Sequence, residues 1–297
     1  MAAPFTPSPS FAVERVAGAL GAEVRGVDIA TITDAEWEAV HEAAIEHLVL
    51  FFHGQHDLSP ETHRAFAARF GELEPHTIVK GLSDEYPEVV QIVKAAGEAT
   101  KFGETWHTDN SFTPRPTSFS ILRSVEVPPF GNDTLWASMY AAYDGLSDGM
   151  KASLGTLRAV HGAGRAFGLD DPERRAKYEA PDDDPRVAMK YKKAMDVLTA
   201  EVEHPIVRTH PVTGRPALYV NSMFTYRISG WTEAESAPLI EWLLDHCAKP
   251  EYTVRFRWSP GCVALWDNRC TQHVAMNDNN QHRRVMQRVC VKGERPF

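Results

Sequence analysis

Most apolar residues of this chain fall in short runs bounded by Gly, Pro, Asn, Asp or Ser. Such runs are typical of β-strands, because a strand that is buried on both faces needs apolar side chains at successive positions. The predicted strands are residues 21–28, 48–54, 88–95, 117–127, 134–139, 206–211, 217–224, 253–258, 262–268 and 283–291. The pattern therefore predicts a mainly β protein.

Helical signals are fewer and lie between these strands. Capping boxes, in which an N-cap Thr precedes Glu by three residues, begin at Thr33 and Thr232, and apolar residues follow at helical spacing. Ser59 and Pro60 begin a third helix as its N-cap and first-turn residues. Many strands with a few helices predict a closed or sandwiched β core that carries α decoration.

The chain reads as one domain over residues 13–297, preceded by a loose tail at 1–12. Residues 163–200 stand apart because they are rich in charge and interrupted by proline. A solvated insertion is one interpretation of this segment. A lid over an active site is the other, since long excursions from compact domains are often functional.

Composition restricts the classes of partner and compartment. The 297 residues include 43% hydrophobic and 10% aromatic residues, enough for a substantial core. The net charge of −9 is opposite to that of most nucleic-acid-binding proteins. No apolar run is long enough to span a membrane, and the N-terminus has no signal-peptide pattern. The four cysteines form no CxxC pair, which predicts reduced thiols in a cytoplasmic protein.

The stretch TWHTDNSF places His107 and Asp109 two residues apart. In an extended segment, two such side chains share a face and can bind one metal ion, although a turn with an N-cap is the alternative interpretation of the pair. His273, far downstream in WDNRCTQH, is the candidate third ligand. Its alternative role is a strand-end histidine hydrogen-bonded to Asn268 or Asp278. Two histidines and one carboxylate form the facial triad of non-haem Fe(II) oxygenases.

Arginines alternate with Met286 on the last predicted strand. Arg284, Met286 and Arg288 must point to one face, because side chains alternate along a strand. Buried arginine is rare unless it is paired, and guanidinium groups bind carboxylates, sulfonates or phosphates. The strand could therefore hold two anions, or it could present an outward basic face paired with local acids.

Five motifs together resemble the taurine dioxygenase-like (TauD/TfdA) family of Fe(II)/2-oxoglutarate-dependent dioxygenases, which includes alkylsulfatase and phenoxyalkanoate dioxygenases. They are WHTDNSF, GNDTLWASMYAAYDGLS, HPIVRTHPVTGRPALYVNSMF, WDNRCTQH and HRRVMQR, and the resemblance runs from LGAEVRGVDI to the C-terminal GERPF. It implies a double-stranded β-helix (jelly roll) with helical insertions. It also implies Fe(II), 2-oxoglutarate as cosubstrate and O2.

The resemblance assigns roles to the positions that match. The implied iron ligands are His107, Asp109 and His273. The implied 2-oxoglutarate contacts are Arg284, through a salt bridge to the distal carboxylate, and Thr134, through a hydrogen bond to it. The implied substrate contacts are His76, Phe167, Phe224 and Arg288.

Two positions depart from taurine dioxygenase. Gly103 stands where that enzyme has an asparagine that touches the substrate, and Val79 falls where it has a tyrosine. Both changes remove polar contacts, and buried polar groups discriminate strongly between substrates. The expected substrate is therefore a small acid more apolar than taurine: an alkyl or aryl sulfonate, a sulfate ester or an aryloxyalkanoate.

The predicted reaction is hydroxylation of this acid, coupled to decarboxylation of 2-oxoglutarate to succinate and CO2. An alternative within the family is desaturation, cyclisation or epimerisation of a larger substrate. Outside it, the same ligands could serve a cupin-like metallohydrolase or isomerase, or the scaffold could be a non-catalytic binding module. The resemblance also suggests a homo-oligomer, either a dimer or a tetramer.

Overall fold

The computed structural model of the chain describes residues 11–98, 103–181 and 189–297. The predicted tail at 1–12 lies outside these ranges except for its last two residues. The strands are β1 Ala12–Arg15, β2 Ala22–Arg25, β3 Val49–Phe52, β4 Val89–Lys94, β5 Thr117–Glu126, β6 Thr134–Ser138, β7 Arg158–Gly162, β8 Glu201–Pro205, β9 Val207–Thr209, β10 Pro216–Leu218, β11 Thr225–Ile228, β12 Thr253–Phe256, β13 Val263–Asp267, β14 Thr271–Ala275 and β15 Arg284–Lys292.

The helices surround these strands. They are α1 Asp34–His47, α2 Pro60–Ala68, α3 Met139–Asp144, α4 Asp148–Leu154, α5 Pro172–Glu179, α6 Met195–Thr199 and α7 Glu233–Cys247, with short 3-10 turns at Ile29–Thr31 and Pro250–Tyr252. The capping boxes at Thr33 and Thr232 are both formed, and Ser59 caps α2. No helix in the described ranges is long and apolar enough to cross a membrane.

A seven-stranded sheet in the order β1-β2-β3-β13-β5-β15-β4 forms one layer of the core. The three-stranded sheet β12-β6-β14 packs on it, and the stacked rings of Phe51 and Phe256, 4.3 Å apart, mark the contact. Neighbouring strands are antiparallel except for the parallel pair β2 and β3. This is the jelly-roll core with α decoration that the sequence predicted.

The large sheet is buried on both faces. Val49 and Phe51 of β3 point into the space between the two sheets. Leu50 and Phe52 point the other way, into a second cluster with residues of α1 and α2. This two-sided burial explains why the sequence shows a continuous apolar run at 48–54 instead of an alternating pattern.

The strand predicted at 217–224 is wrong beyond residue 218. Only β10 lies there, and the chain turns before β11. The carbonyl of the Asn221 side chain accepts from the backbone N–H of Phe224, and the Asn221 N–H donates to the Thr225 hydroxyl. Such local bonds replace the sheet ladder and favour a turn.

Several short elements had no sequence signal strong enough to predict them. They are strands β1, β7, β8, β11 and β14 and helices α3 to α6. Of these, β14 matters most for the site, because it carries His273. Its five residues, Thr271–Ala275, are three polar residues followed by two apolar ones, so they show neither an apolar run nor an alternating pattern.

Candidate active site

Three candidate ligands meet where β14 pairs with the TWHTDNSF motif at His107. His107 and His273 are joined by two backbone hydrogen bonds, 3.0 and 2.8 Å long. This bridge places both imidazoles beside Asp109, whose Oδ1 lies 3.9 Å from Nε2 of each ring. All three side chains are buried, and their ligand atoms lie within 4.8 Å of one another. The structure therefore brings together the predicted triad.

The protonation of these groups suits a divalent metal ion. Nδ1 of His107 donates to the Thr105 carbonyl at 2.8 Å, which leaves the Nε2 lone pair facing Asp109. Burial lowers the pKa of His107 and of His273, so both rings are neutral, the form that binds metals. Burial would raise the pKa of Asp109, but Arg288 and the two imidazoles hold it below its usual range.

Asp109 has protein partners on both carboxylate oxygens. Oδ1 accepts from Nη1 of Arg288 at 2.5 Å, and Oδ2 accepts from the Ser120 hydroxyl at 2.7 Å. The Asp109 backbone N–H donates to the Asn268 side chain. Sequence reasoning did not single out Ser120. No sequence signal marks it, because its position on β5, opposite Cys290 of the arginine-bearing β15, depends on the register between two distant strands.

Arg284 and Arg288 share a face of β15, as the alternation predicted, and both line one cavity of about 260 Å³. Nε and Nη2 of Arg284 are shielded from solvent and have no hydrogen-bond partner in the described part of the chain. Burial lowers the pKa of Arg284 to about 10. Thr134 lies near this end, where its hydroxyl accepts from the Trp258 indole at 2.9 Å.

Eight of the ten candidate residues line this cavity; Thr134 is not among its lining residues, and His273 adjoins it through Asp109. His76 is among the eight. Its Nδ1 accepts from the backbone N–H groups of Ile78 and Val79, both at 3.0 Å, so Nε2 carries the proton. Burial, with a smaller effect of Arg288, lowers the pKa of His76 to about 3. His76 is thus a neutral hydrogen-bond donor beside the Arg288 guanidinium.

The rest of the cavity wall combines aromatic and aliphatic side chains with charged ones such as Lys94, Arg165 and Arg174. Phe224 lies edge-on to His107, with ring centroids 6.3 Å apart. Phe167 faces His76 across 6.5 Å. Further lining residues come from the segment at 163–200: Tyr178, Met189 and Tyr191. Val79 packs behind this wall, against Val90 and Met189, so its effect on the cavity is indirect.

Gly103 lines the cavity in a conformation that favours glycine. Its φ is +79°, and an added Cβ would lie 3.2 Å from Cε1 of His107. The Gly103 carbonyl accepts from the Ala275 N–H, which ties this segment to β14. The glycine therefore leaves room for the imidazole of His107 as well as for a ligand.

A second buried group of metal-ligand type lies away from the cavity, at His210, Asp267 and Cys270. Asp267 accepts two hydrogen bonds from the Arg269 side chain and one from Nε2 of His210. Nδ1 of His210 accepts from the backbone N–H groups of residues 212 and 213. These bonds occupy the carboxylate and the imidazole, so the group stabilises the fold and has no ligand atoms to spare on either side chain.

Comparison with known proteins places the chain in a family. Residues 12–290 match the family model described as taurine catabolism dioxygenase TauD, TfdA family. An alpha-ketoglutarate-dependent sulfate ester dioxygenase of Pseudomonas putida is 38% identical over 285 residues, covering 96% of this chain and 90% of that protein. An alkylsulfatase of Acinetobacter baylyi is 32% identical, covering 97% and 87%.

Comparison with solved structures agrees with this family assignment. The crystal structure of a taurine dioxygenase from Burkholderia xenovorans has a TM-score of 0.77 and 35% identity, covering 97% of this chain and 93% of that one. The chain therefore belongs to the TauD/TfdA dioxygenase family. Its predicted class, an oxidoreductase that uses Fe(II), 2-oxoglutarate and O2, is confirmed by this membership.

Proposed function

We propose that this enzyme oxidises a small organic anion with an apolar body, preferentially an alkyl or aryl sulfate ester, and that His107, Asp109 and His273 hold its iron. The observation that carries this proposal is one cavity with a buried two-histidine, one-carboxylate group, two arginines and an aromatic wall. The names of the sulfate ester dioxygenase and alkylsulfatase relatives support the substrate class. Sulfonates and aryloxyalkanoates are the neighbouring classes that share this chemistry.

The residues present fit the metal and the cosubstrate. Two neutral imidazoles and one ionised carboxylate are a suitable donor set for Fe(II), and three ligands leave positions open. The unpartnered nitrogens of Arg284 fit the distal carboxylate of 2-oxoglutarate, since a guanidinium binds a carboxylate through paired hydrogen bonds. Thr134 and Arg284 both contact Trp258, through its indole N–H and its ring face respectively, which supports a role of Thr134 beside this carboxylate.

When bound, Fe(II) and 2-oxoglutarate supply the oxidising chemistry, in which O2 is consumed, succinate and CO2 form, and a substrate C–H bond is hydroxylated. The protein binds and orients the reactants. Arg288 and the Nε2–H of His76 are placed to hold the substrate anion at the buried end of the cavity. Phe167 and Phe224 exclude water and receive the apolar body.

A C–H bond next to oxygen is the expected point of attack. Hydroxylation of the carbon that bears the ester or ether oxygen gives a product that breaks its C–O bond. The fragments are a carbonyl compound and the freed sulfate or phenol. This outcome follows for sulfate esters and aryloxyalkanoates alike. Release of sulfate identifies a sulfate ester, and release of a phenol identifies an aryloxyalkanoate.

The test is succinate formation under air by the Fe(II)-loaded enzyme with 2-oxoglutarate. The panel comprises octyl sulfate, octanesulfonate, phenoxyacetate, 2-phenoxypropionate and taurine. We expect the largest stimulation with octyl sulfate, together with equimolar sulfate and an oxygen requirement. Stimulation by taurine alone would contradict the apolar assignment. Release of sulfate in the absence of oxygen would contradict the proposed oxygenase reaction and favour a metallohydrolase.

Three further properties complete the proposal. The segment at 163–200 acts as a lid, which is supported by Phe167, Tyr178 and Tyr191 lining the cavity. The enzyme works in the cytoplasm, which is supported by four buried free cysteines. It forms a dimer or tetramer, which the exposed Trp231 and Trp242 support. Limited proteolysis with and without ligand tests the lid, and light scattering tests the assembly.

A further inference from the structure

The two oxygens of the Asp109 carboxylate have different surroundings. Oδ1 faces Nε2 of both His107 and His273, each at 3.9 Å. Oδ2 accepts the hydroxyl hydrogen of Ser120 across 2.7 Å. The side chain of Ser120 is fully buried, so no solvent competes for this bond. Oδ1 also accepts from Nη1 of Arg288, so this oxygen faces the two imidazoles and the guanidinium inside the cavity, while Oδ2 is held by the Ser120 hydroxyl.

The direction of the Ser120 hydroxyl is set by Asn268. The amide oxygen of Asn268 accepts two N–H groups, the backbone N–H of Asp109 at 3.1 Å and the indole N–H of Trp266 at 3.0 Å. Its amide nitrogen must therefore be the donor to the Ser120 oxygen, 2.9 Å away. Because that contact uses a lone pair of Ser120, the hydroxyl hydrogen is free to point at Asp109.

The remaining contact of Ser120 is consistent with this orientation. Sγ of Cys290 lies 3.6 Å from the Ser120 oxygen and can donate weakly to its second lone pair. Ser120 then has one donor contact and two acceptor contacts, all inside the protein. Ser120 lies on β5 and Cys290 on the neighbouring β15, while Asn268 lies in the turn directly after β13 and is held there by Trp266 of that strand.

We propose that Ser120, oriented by Asn268, is a positioning residue that keeps Asp109 a single-oxygen ligand. This inference rests on the proposed metal site. A carboxylate with both oxygens available can rotate, or can bind an ion through both and take one of the positions that the cosubstrate needs. Hydrogen bonds behind a ligand orient it, and their loss typically costs about 10- to 100-fold in metal affinity.

The test is the affinity of the metal-free protein for Mn(II), measured by calorimetry in the absence of 2-oxoglutarate. Ser120→Ala removes the hydroxyl, and we expect about 10- to 100-fold weaker Mn(II) binding. Ser118→Ala is the matched control, because Ser118 is buried on the same face of β5 but donates to the carbonyls of residues 291 and 292. It should retain wild-type affinity. Ser120→Thr keeps a hydroxyl and should restore binding.

The outcomes separate this inference from the proposed function. If wild-type protein binds no Mn(II), the metal site itself is wrong. If wild-type protein binds and Ser120→Ala binds equally well, only the positioning role is overturned. Thermal unfolding of each variant checks folding. Should Ser120→Ala not fold, Ser120→Cys conserves volume but donates weakly, and wild-type affinity in that variant would also overturn the role.

Discussion

The guanidinium of Arg284 lies over the indole of Trp258, with its central carbon 5.9 Å from the ring centroid. Stacking of this kind orients the fork of nitrogens without satisfying their hydrogen bonds. Nε and Nη2 have no such partner in the described ranges of the chain. A buried donor without an acceptor is costly, so this site is built for an acidic ligand.

Arg284→Ala should therefore weaken binding of 2-oxoglutarate. Loss of a charge-assisted, bidentate contact costs on the order of 2–3 kcal/mol, or about 30- to 150-fold in Kd. Calorimetric titration of 2-oxoglutarate into the Mn(II)-loaded protein measures the effect. Arg283→Ala is the control, since this exposed neighbour pairs with Glu126 on the opposite face of β15. Equal losses in both variants would show that the effect is not specific to the cavity.

Arg288 differs from Arg284 because it has a carboxylate partner in the protein. Its bond to Asp109 is fully buried. Removing one member of a buried ion pair costs about 3–5 kcal/mol, because the other charge stays buried and unpaired. Arg288→Met should accordingly lower the free energy of unfolding of the metal-free protein by about this amount. Denaturant unfolding measures the loss.

The same variant should recover stability when Mn(II) is added, since the ion then supplies positive charge at Asp109. Arg284→Met provides the comparison: it is the same substitution on the same face of β15, yet it leaves no carboxylate unpaired. It should be far less destabilising. A loss of equal size in the two variants would mean that the strand's packing, and not the ion pair, is responsible.

The sequence predicted those features that depend on local periodicity. The capping boxes at Thr33 and Thr232 need only a spacing of three residues, and the structure forms both. The shared face of Arg284 and Arg288 needs only the two-residue period of a strand. The meeting of His107 with His273 required the family resemblance, because no local rule brings together residues so far apart in the chain.

Other features depend on register between distant strands. Ser120 lies opposite Cys290 because β5 and β15 pair in one register, and a shift by one residue would turn it to the other face. The turn at Asn221 interrupts what looked like one strand, because a side chain bonds to the backbone there. Neither result can be obtained from periodicity, since both are set by tertiary contacts.

Gly103→Ala should lower metal affinity through His107. The new Cβ would lie 3.2 Å from Cε1 of the imidazole, so the ring must shift. Gly97→Ala is a close control, because Gly97 has φ +80° but nothing within 4 Å of an added Cβ. Both variants carry the same backbone strain, of order 1 kcal/mol. Calorimetry with Mn(II) should show weaker binding for Gly103→Ala only, and equal affinities would contradict the steric argument.

Acid should destabilise the fold below about pH 6.5, through buried neutral histidines. Burial, assisted by Arg123, lowers the pKa of His63 to about 3 from the usual 6.5. Between these values the unfolded chain binds a proton that the folded protein does not, so stability rises with pH. The buried Asp109 and Asp267 have lowered pKa values and lose their contribution only below about pH 3.8.

The histidine contribution can be isolated by substitution. His63→Gln keeps a donor for the Ile121 carbonyl, which accepts from Nε2 of His63 at 3.1 Å, but removes the titrating ring. Denaturant unfolding between pH 7 and 5 should show a slope that is smaller in this variant, by a difference that approaches about 1.4 kcal/mol per pH unit towards pH 5. A slope that His63→Gln does not alter would mean that His63 takes up its proton in the folded protein as readily as in the unfolded chain.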